Sequence, residues 1–173
     1  MTTERIDRCF AALKEQGRPA LVAYLTIGDP DLDQCTQCAL AALNSGVDLL
    51  ELGVPFSDPT ADGPVIAAAS YRAIQRGGSL PAALGVAQRI RSQTNAPIVL
   101  FTYYNPVIAF GDERLPQAAV GAGIDGILVV DLPPEEGALL RSAAQRAELA
   151  VIPLVAPTTA VDREARVLQG ARG

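Results

Sequence analysis

Histidine is absent from this 173-residue chain, and lysine occurs once, as Lys14 in the first predicted helix. The missing histidine removes the commonest metal ligand and the commonest general base. With a single lysine outside the predicted strands, no Schiff-base lysine stands at a strand end either. Any chemistry here falls to carboxylates, hydroxyls and backbone groups. Apolar runs are short and interrupted by Gly and Pro, and none approaches the ~20 residues that span a bilayer. No membrane partner is expected. Residues 1–8 mix Glu4, Arg5, Asp7 and Arg8 with no apolar stretch behind them, which does not fit a secretory signal, so a cytoplasmic location is expected. Nineteen acids against fourteen bases give a net charge of −5 with no basic stripe, which argues against a nucleic-acid partner. Cys9, Cys35 and Cys38 are an odd number and suit reduced thiols. Cys35 and Cys38 form a C-x-x-C inside a predicted helix, away from the strand-to-helix turn where a redox pair is activated, and read as helix packing.

What is present is a regular alternation. With 49% hydrophobic residues the chain can bury one core, and no linker or low-complexity stretch divides it, so one domain over 1–173 is expected. Ile6, Cys9, Phe10 and Leu13 fall on one stripe of a capping helix that Gly17 and Pro19 end. Five near-continuous apolar runs follow, Leu21–Ile27, Leu49–Val54, Ile98–Tyr103, Ile127–Val130 and Val151–Val155, as buried parallel strands require. Helical spacing appears between them at Leu32, Cys35, Ala39 and Leu43, and at Leu80, Leu84, Ala87 and Ile90 with Ser79 as cap. A further helix spans about Pro64 to Arg76, and another runs from Glu135 to Ala147, its two leading acids suiting the helix dipole.

Strands alternating with helices imply a parallel sheet, open or barrel-like. Strand-end chemistry favours the barrel. Polar or turn-forming clusters follow nearly every strand (Gly28-Asp29-Pro30, Gly53 to Pro64, Tyr104-Asn105-Pro106, Asp131-Leu132-Pro133, Pro157-Thr158-Thr159), and no G-x-G-x-x-G follows the first. In the second strand Leu49, Glu51 and Gly53 share one face, while Leu50, Leu52 and Val54 share the other. Glu51 thus points into the barrel among apolar neighbours, where desolvation raises its pKa for proton transfer; the alternative is a buried acid paired with an arginine. Asp58 and Asp62 lie in the following loop, where Ser-Asp-Pro and Ala-Asp-Gly can equally be turn chemistry.

The run from Glu51 to Pro64, ELGVPFSDPTADGP, resembles the signature of the tryptophan synthase alpha chain family. Leu25 to Pro30, Tyr103 to Pro106 and Val130 to Pro133 are similar to the family's first, third and fourth strand ends, in the same order. The resemblance implies a (β/α)8 TIM barrel and a carbon–carbon lyase of tryptophan biosynthesis, cleaving indole-3-glycerol phosphate to indole and glyceraldehyde 3-phosphate without a cofactor. It assigns Glu51 as catalytic acid/base and Asp62 as acceptor from the indole N–H. Tyr24, Phe101, Tyr103 and Leu154 would line the indole-propanol pocket. Pro55, Asp58 and Asn105 would meet a PLP-dependent beta chain in an alpha2-beta2 tetramer. Thr60 and Ala67 depart from the family's usual apolar residue and Gln.

A closed barrel typically takes ~250 residues, so about five βα units with open strand edges are expected by Gly173, without the family's mobile loop after strand six or its Gly-rich phosphate turns. Arg76-Gly77-Gly78 reads as a helix stop, not a replacement for those turns. Bare edges imply an aggregating, dimeric or poorly folded product, and without the phosphate turns and closing loop little or no cleavage is expected. Two other readings are a non-catalytic module that only docks on the beta chain, and another phosphosugar barrel such as an aldolase, which the missing strand lysine disfavours.

Overall fold

The computed structural model describes residues 3–169 and 171; Gly173 lies outside them. Five parallel strands, β1 (Val22–Thr26), β2 (Leu49–Gly53), β3 (Ile98–Thr102), β4 (Gly126–Val129) and β5 (Ala150–Val151), hydrogen-bond in chain order as part of a TIM-type barrel. Around them lie α1 (Thr3–Glu15), α2 (Leu32–Asn44), α3 (Pro64–Gln75), α4 (Leu80–Arg91), α5 (Tyr104–Phe110), α6 (Leu115–Gly121), α7 (Ala138–Ala147) and α8 (Val161–Val167). Among the described residues no helix is long and apolar enough to cross a membrane.

Side-chain alternation sorts the strands into two packed faces. The outward face, Leu50, Leu52, Ile98, Leu100 and Ile127, meets α2, α4 and α7 through Cys35, Ala39, Ala83, Ala87, Ile90 and Leu140. Small residues on those helices let them lie close to the branched strand side chains. The inward face, Leu49, Val99, Leu128 and Ala150 with Phe101, Val130 and Ile152, forms a separate cluster closed by Ile6 of α1. Ile6 and Leu13 are buried, as the helical stripe predicts. Phe10, expected on that stripe, is instead 44% exposed, and Cys9 is only partly covered. One turn of α1 plugs the barrel floor, so a wider stripe has nothing to pack against.

A buried charge cluster fixes that floor. Asp125, fully buried before β4, accepts from Arg5 Nη1 of α1 at 2.7 Å, Arg91 Nη2 of α4 at 2.7 Å and the Ile98 N–H at 2.8 Å. Arg91 also donates to the Gly123 and Thr94 carbonyls. Three chain segments are joined at the end of the barrel associated with stability rather than catalysis.

Helix starts depart from expectation in two places. Pro133 and Pro134 lead into a turn that contains Glu135 and Glu136, and α7 begins only at Ala138, so the two acids do not sit in its first turn. Tyr104-Asn105-Pro106, expected as a loop, opens α5. Pro106 is tolerated there because the first-turn N–H groups have no intrahelical acceptor, and Asp131 at the end of β4 accepts the Tyr104 N–H at 2.7 Å. β5 pairs over Ala150–Val151 only, short of the expected Val155. The Ser79 cap is present, accepting from Ala82 N–H at 3.3 Å, and α3 stops at Gln75 before Gly77 in the left-handed region. Cys35 is buried in α2 and Cys38 exposed, both as free thiols, consistent with a packing role for Cys35.

Candidate functional site

In β2 the extended backbone turns Leu50 and Leu52 to the helices and leaves Glu51 on the barrel side. Its register partners are Tyr24 of β1 and Val99 of β3. In a parallel sheet such neighbours face the same way, and Val99 belongs to the interior cluster. Glu51 is half-buried, and among the described residues it has neither a hydrogen bond nor an ion pair. The paired-arginine alternative is therefore not what the chain builds, since the buried arginine, Arg91, serves Asp125 instead. Burial alone pushes the Glu51 carboxyl up from its ordinary value, favouring the protonated form.

Aromatic rings stand beside Glu51 on the same face of the sheet. Tyr24 meets Phe101 edge to face with ring centroids 5.3 Å apart and planes at 83°. Gly53 makes room for this pair, because a Cβ there would lie 2.1 Å from the Tyr24 hydroxyl oxygen. Gly53→Ala should therefore drive Tyr24 out of place and lower stability by about 1–3 kcal/mol, as overpacking does. Denaturant unfolding measures the loss, and an unchanged midpoint would show that the Tyr24 ring is not seated against β2.

Asp62 ends the loop between β2 and α3. The turn reading holds for its backbone, since Thr60 N–H bonds Asp58 O at 2.9 Å and Asp62 N–H bonds Pro59 O at 3.1 Å. Its side chain does more than shape that turn. Burial raises the Asp62 carboxyl above its ordinary value, opposed by a hydrogen-bonding interaction with the Tyr103 side chain. Tyr103 is 3% exposed, and its hydroxyl accepts from Ala61 N–H at 2.9 Å. The Tyr24 phenol is raised first by burial, with the charges of Asp62 and Glu51 and the Tyr103 phenol adding to it, so these four groups feel one another electrostatically.

The remaining expected positions scatter. Pro55 is buried, its Cγ standing 2.9 Å from where a Cβ on Gly78 would be. Asp58 is exposed and accepts from Ser57 Oγ at 2.6 Å, while Asn105 lies on the exposed side of α5. Thr60 is exposed and Ala67 half-buried. Leu154 is 52% exposed beyond β5 and lines a cavity of about 810 Å³ together with Leu140, Val151, Arg141 and Arg163, apart from Tyr24 and Phe101. Phe56, which sequence reasoning passed over, packs on Tyr103 with centroids 5.3 Å apart and planes at 34°. Among the described residues no group of three or more Cys, Asp or Glu is arranged to hold a metal ion.

A family model described as tryptophan synthase alpha chain matches residues 10–173. Curated relatives named tryptophan synthase alpha chain include one from Synechococcus elongatus, 49% identical over 97% of this chain and 63% of its own length. Another, from Desulfatibacillum aliphaticivorans, is 48% identical over the same shares. The chain thus spans about 63% of the length of these relatives. Among solved structures, the alpha subunit of Legionella pneumophila tryptophan synthase superposes with a TM-score of 0.93 at 38% identity, covering 96% of this chain and 64% of that one. A chain of Mycobacterium tuberculosis tryptophan synthase superposes at 0.94 with 34% identity, covering 98% and 68%.

Proposed function

Because the chain belongs to the tryptophan synthase alpha chain family, we propose that it supplies the acid/base half of a lyase site that cleaves indole-3-glycerol phosphate into indole and glyceraldehyde 3-phosphate. The observation that carries this reading is Glu51, a carboxyl on the inner face of β2 without a counter-charge among the described residues, next to Tyr24 of the Tyr24–Phe101 pair and coupled through Tyr24 to the charge of Asp62. Protonated Glu51 delivers its proton to C3 of the indole, making the ring an electron sink. As the glycerol hydroxyl returns a proton to Glu51 and becomes the aldehyde carbonyl, the carbon–carbon bond breaks and its electron pair restores the indole. Asp62 accepts from the indole N–H and offsets the positive charge that grows there. The edge-to-face aromatic wall suits a flat bicyclic ring.

With an indole as its own sink the reaction calls on carboxylates, in keeping with a chain that has no histidine and one lysine. No cofactor is assigned to the chain in this proposal; the PLP belongs to the beta chain. The exposed Asp58 and Asn105 support docking on that beta chain, and a chain that only docks would keep this surface while doing no chemistry. Substituting Glu51 with Gln separates the two readings, since indole release falls in the first while docking on the beta chain survives in the second.

A further inference from the structure

From Phe56 to Asp62 the loop after β2 is largely exposed at Ser57, Asp58, Thr60 and Ala61, yet it carries one of the two carboxylates of the site. Its internal bonds, Ser57 to Asp58, Thr60 to Asp58 and Asp62 to Pro59, curl the loop without fastening it to the barrel. Among the described residues, the ring contact and the hydrogen bond that leave this segment converge on Tyr103 just after β3. The Phe56 ring packs on the Tyr103 ring, Ala61 N–H donates to the Tyr103 hydroxyl, and the Asp62 side chain interacts with the same hydroxyl. Tyr103 itself has no freedom to follow the loop. It is 3% exposed at the N-cap of α5, next to Tyr104, whose N–H is bonded to Asp131 and whose hydroxyl donates to Asp112 at 2.7 Å.

We propose that Tyr103 is a positioning residue: its hydroxyl, accepting from Ala61 and donating to Asp62, latches the loop after β2 to β3 and holds the Asp62 carboxylate on the side of the barrel that carries Glu51. A buried phenol hydroxyl must find both an acceptor and a donor; Ala61 N–H supplies the donor at 2.9 Å, and the Asp62 carboxylate, the next residue of the loop, is the acceptor the proposal assigns. A water-bonded Asp62 on an untethered turn would sample many orientations, at a cost in effective concentration at the reacting ring. This role rests on the lyase reading for its purpose but not for its test, which is made on the folded chain without substrate. The other titratable groups facing the Tyr103–Asp62 pair are Tyr24 from β1 and Asp131 from the end of β4, and neither is altered in the variants below.

Tyr103→Phe removes the hydroxyl and keeps the ring that Phe56 packs on. Amide exchange at Ala61 should rise about tenfold or more for the lost bond. The Asp62 carboxyl, followed by carbon NMR against pH, should titrate at a higher pH than in the parent chain, because the interaction that opposes burial is gone. Phe56→Leu removes the ring contact and spares the hydroxyl, so Ala61 exchange should rise while the Asp62 midpoint stays in place. A Tyr103→Phe variant with parental Ala61 exchange and an unmoved Asp62 midpoint would overturn the proposal, as would a Phe56→Leu variant that shifts that midpoint equally. If both NMR changes occur but indole release proves independent of Glu51, the latch stands and the lyase reading fails.

Discussion

Glu51→Gln is expected to lower indole release by about 10²–10⁴-fold, the usual contribution of a positioned acid/base, while raising the stability of the fold at neutral pH. The two effects share a cause. The carboxyl is half-buried with no cation or hydrogen-bond donor among the described residues to compensate it, so its folded-state pKa lies above the unfolded one, near 4.3 for an ordinary Glu. At pH values below the unfolded pKa the side chain is neutral in both states and folding meets no charge penalty. As pH rises through the unfolded and then the folded pKa, the unfolded chain ionises first, and stability is lost across that window. Glutamine has no such window. Thermal melts should therefore give a higher Tm for Glu51→Gln than for the parent at pH 8, with the gap closing at pH 3 to 4. A variant less stable than its parent at pH 8 would mean that an unseen partner compensates the ionised Glu51, and unimpaired indole release would remove it from the chemistry.

Asp125→Ala should be the most damaging single change to the fold, costing about 3–5 kcal/mol as broken buried ion pairs do, against a total of about 5–15 kcal/mol for an ordinary domain. Asp125 is fully buried, and its loss strands the Arg91 guanidinium at 13% side-chain exposure, together with the Ile98 N–H. It also frees Arg5, which ties α1 to the barrel floor beneath Ile6. Urea unfolding measures the effect. Adding Arg91→Met should recover part of the loss, because an apolar side chain does not need the missing charge. By contrast Arg89→Ala, which breaks a pair whose members are 45% and 82% exposed, should cost no more than about 1 kcal/mol. A cost for Asp125→Ala as small as that would show that the floor is solvated and that the ion cluster does not hold α1.

The inner position of Glu51 was legible because strand alternation is rigid: with Leu50 and Leu52 committed to the helices, the intervening side chain has one direction left. The five strands were legible for a similar reason, since a run buried on both faces is apolar throughout. Asp125 was not. Its partners Arg5 and Arg91 are 120 and 34 residues away, and nothing local in Gly123-Ile124-Asp125-Gly126 marks a buried charge rather than a turn. The start of α5 was hidden in the same way, because the acceptor that satisfies Tyr104 N–H is supplied by Asp131 from another strand end. At α7 a local preference for acids near a helix start lost to Pro133 and Pro134, which hold the chain in a turn until Ala138. Phe56 carried no signal of its own, since a single aromatic in a Gly- and Pro-rich loop acquires a purpose only when β3 brings Tyr103 beneath it. Leu154, which the family resemblance alone singles out, stands 52% exposed beyond β5, whose pairing is limited to Ala150–Val151, and lines the cavity it shares with Leu140 and Arg141.

The uncompensated acid on the barrel side of β2 is tested most directly by titrating it. With the side-chain carboxyl of Glu51 labelled with carbon-13 and assigned by its disappearance in Glu51→Gln, the chemical shift should report a midpoint clearly above the ordinary glutamate range. A midpoint at or below that range would mean that Glu51 is solvated or ion-paired, and the acid/base role assigned to it would fall.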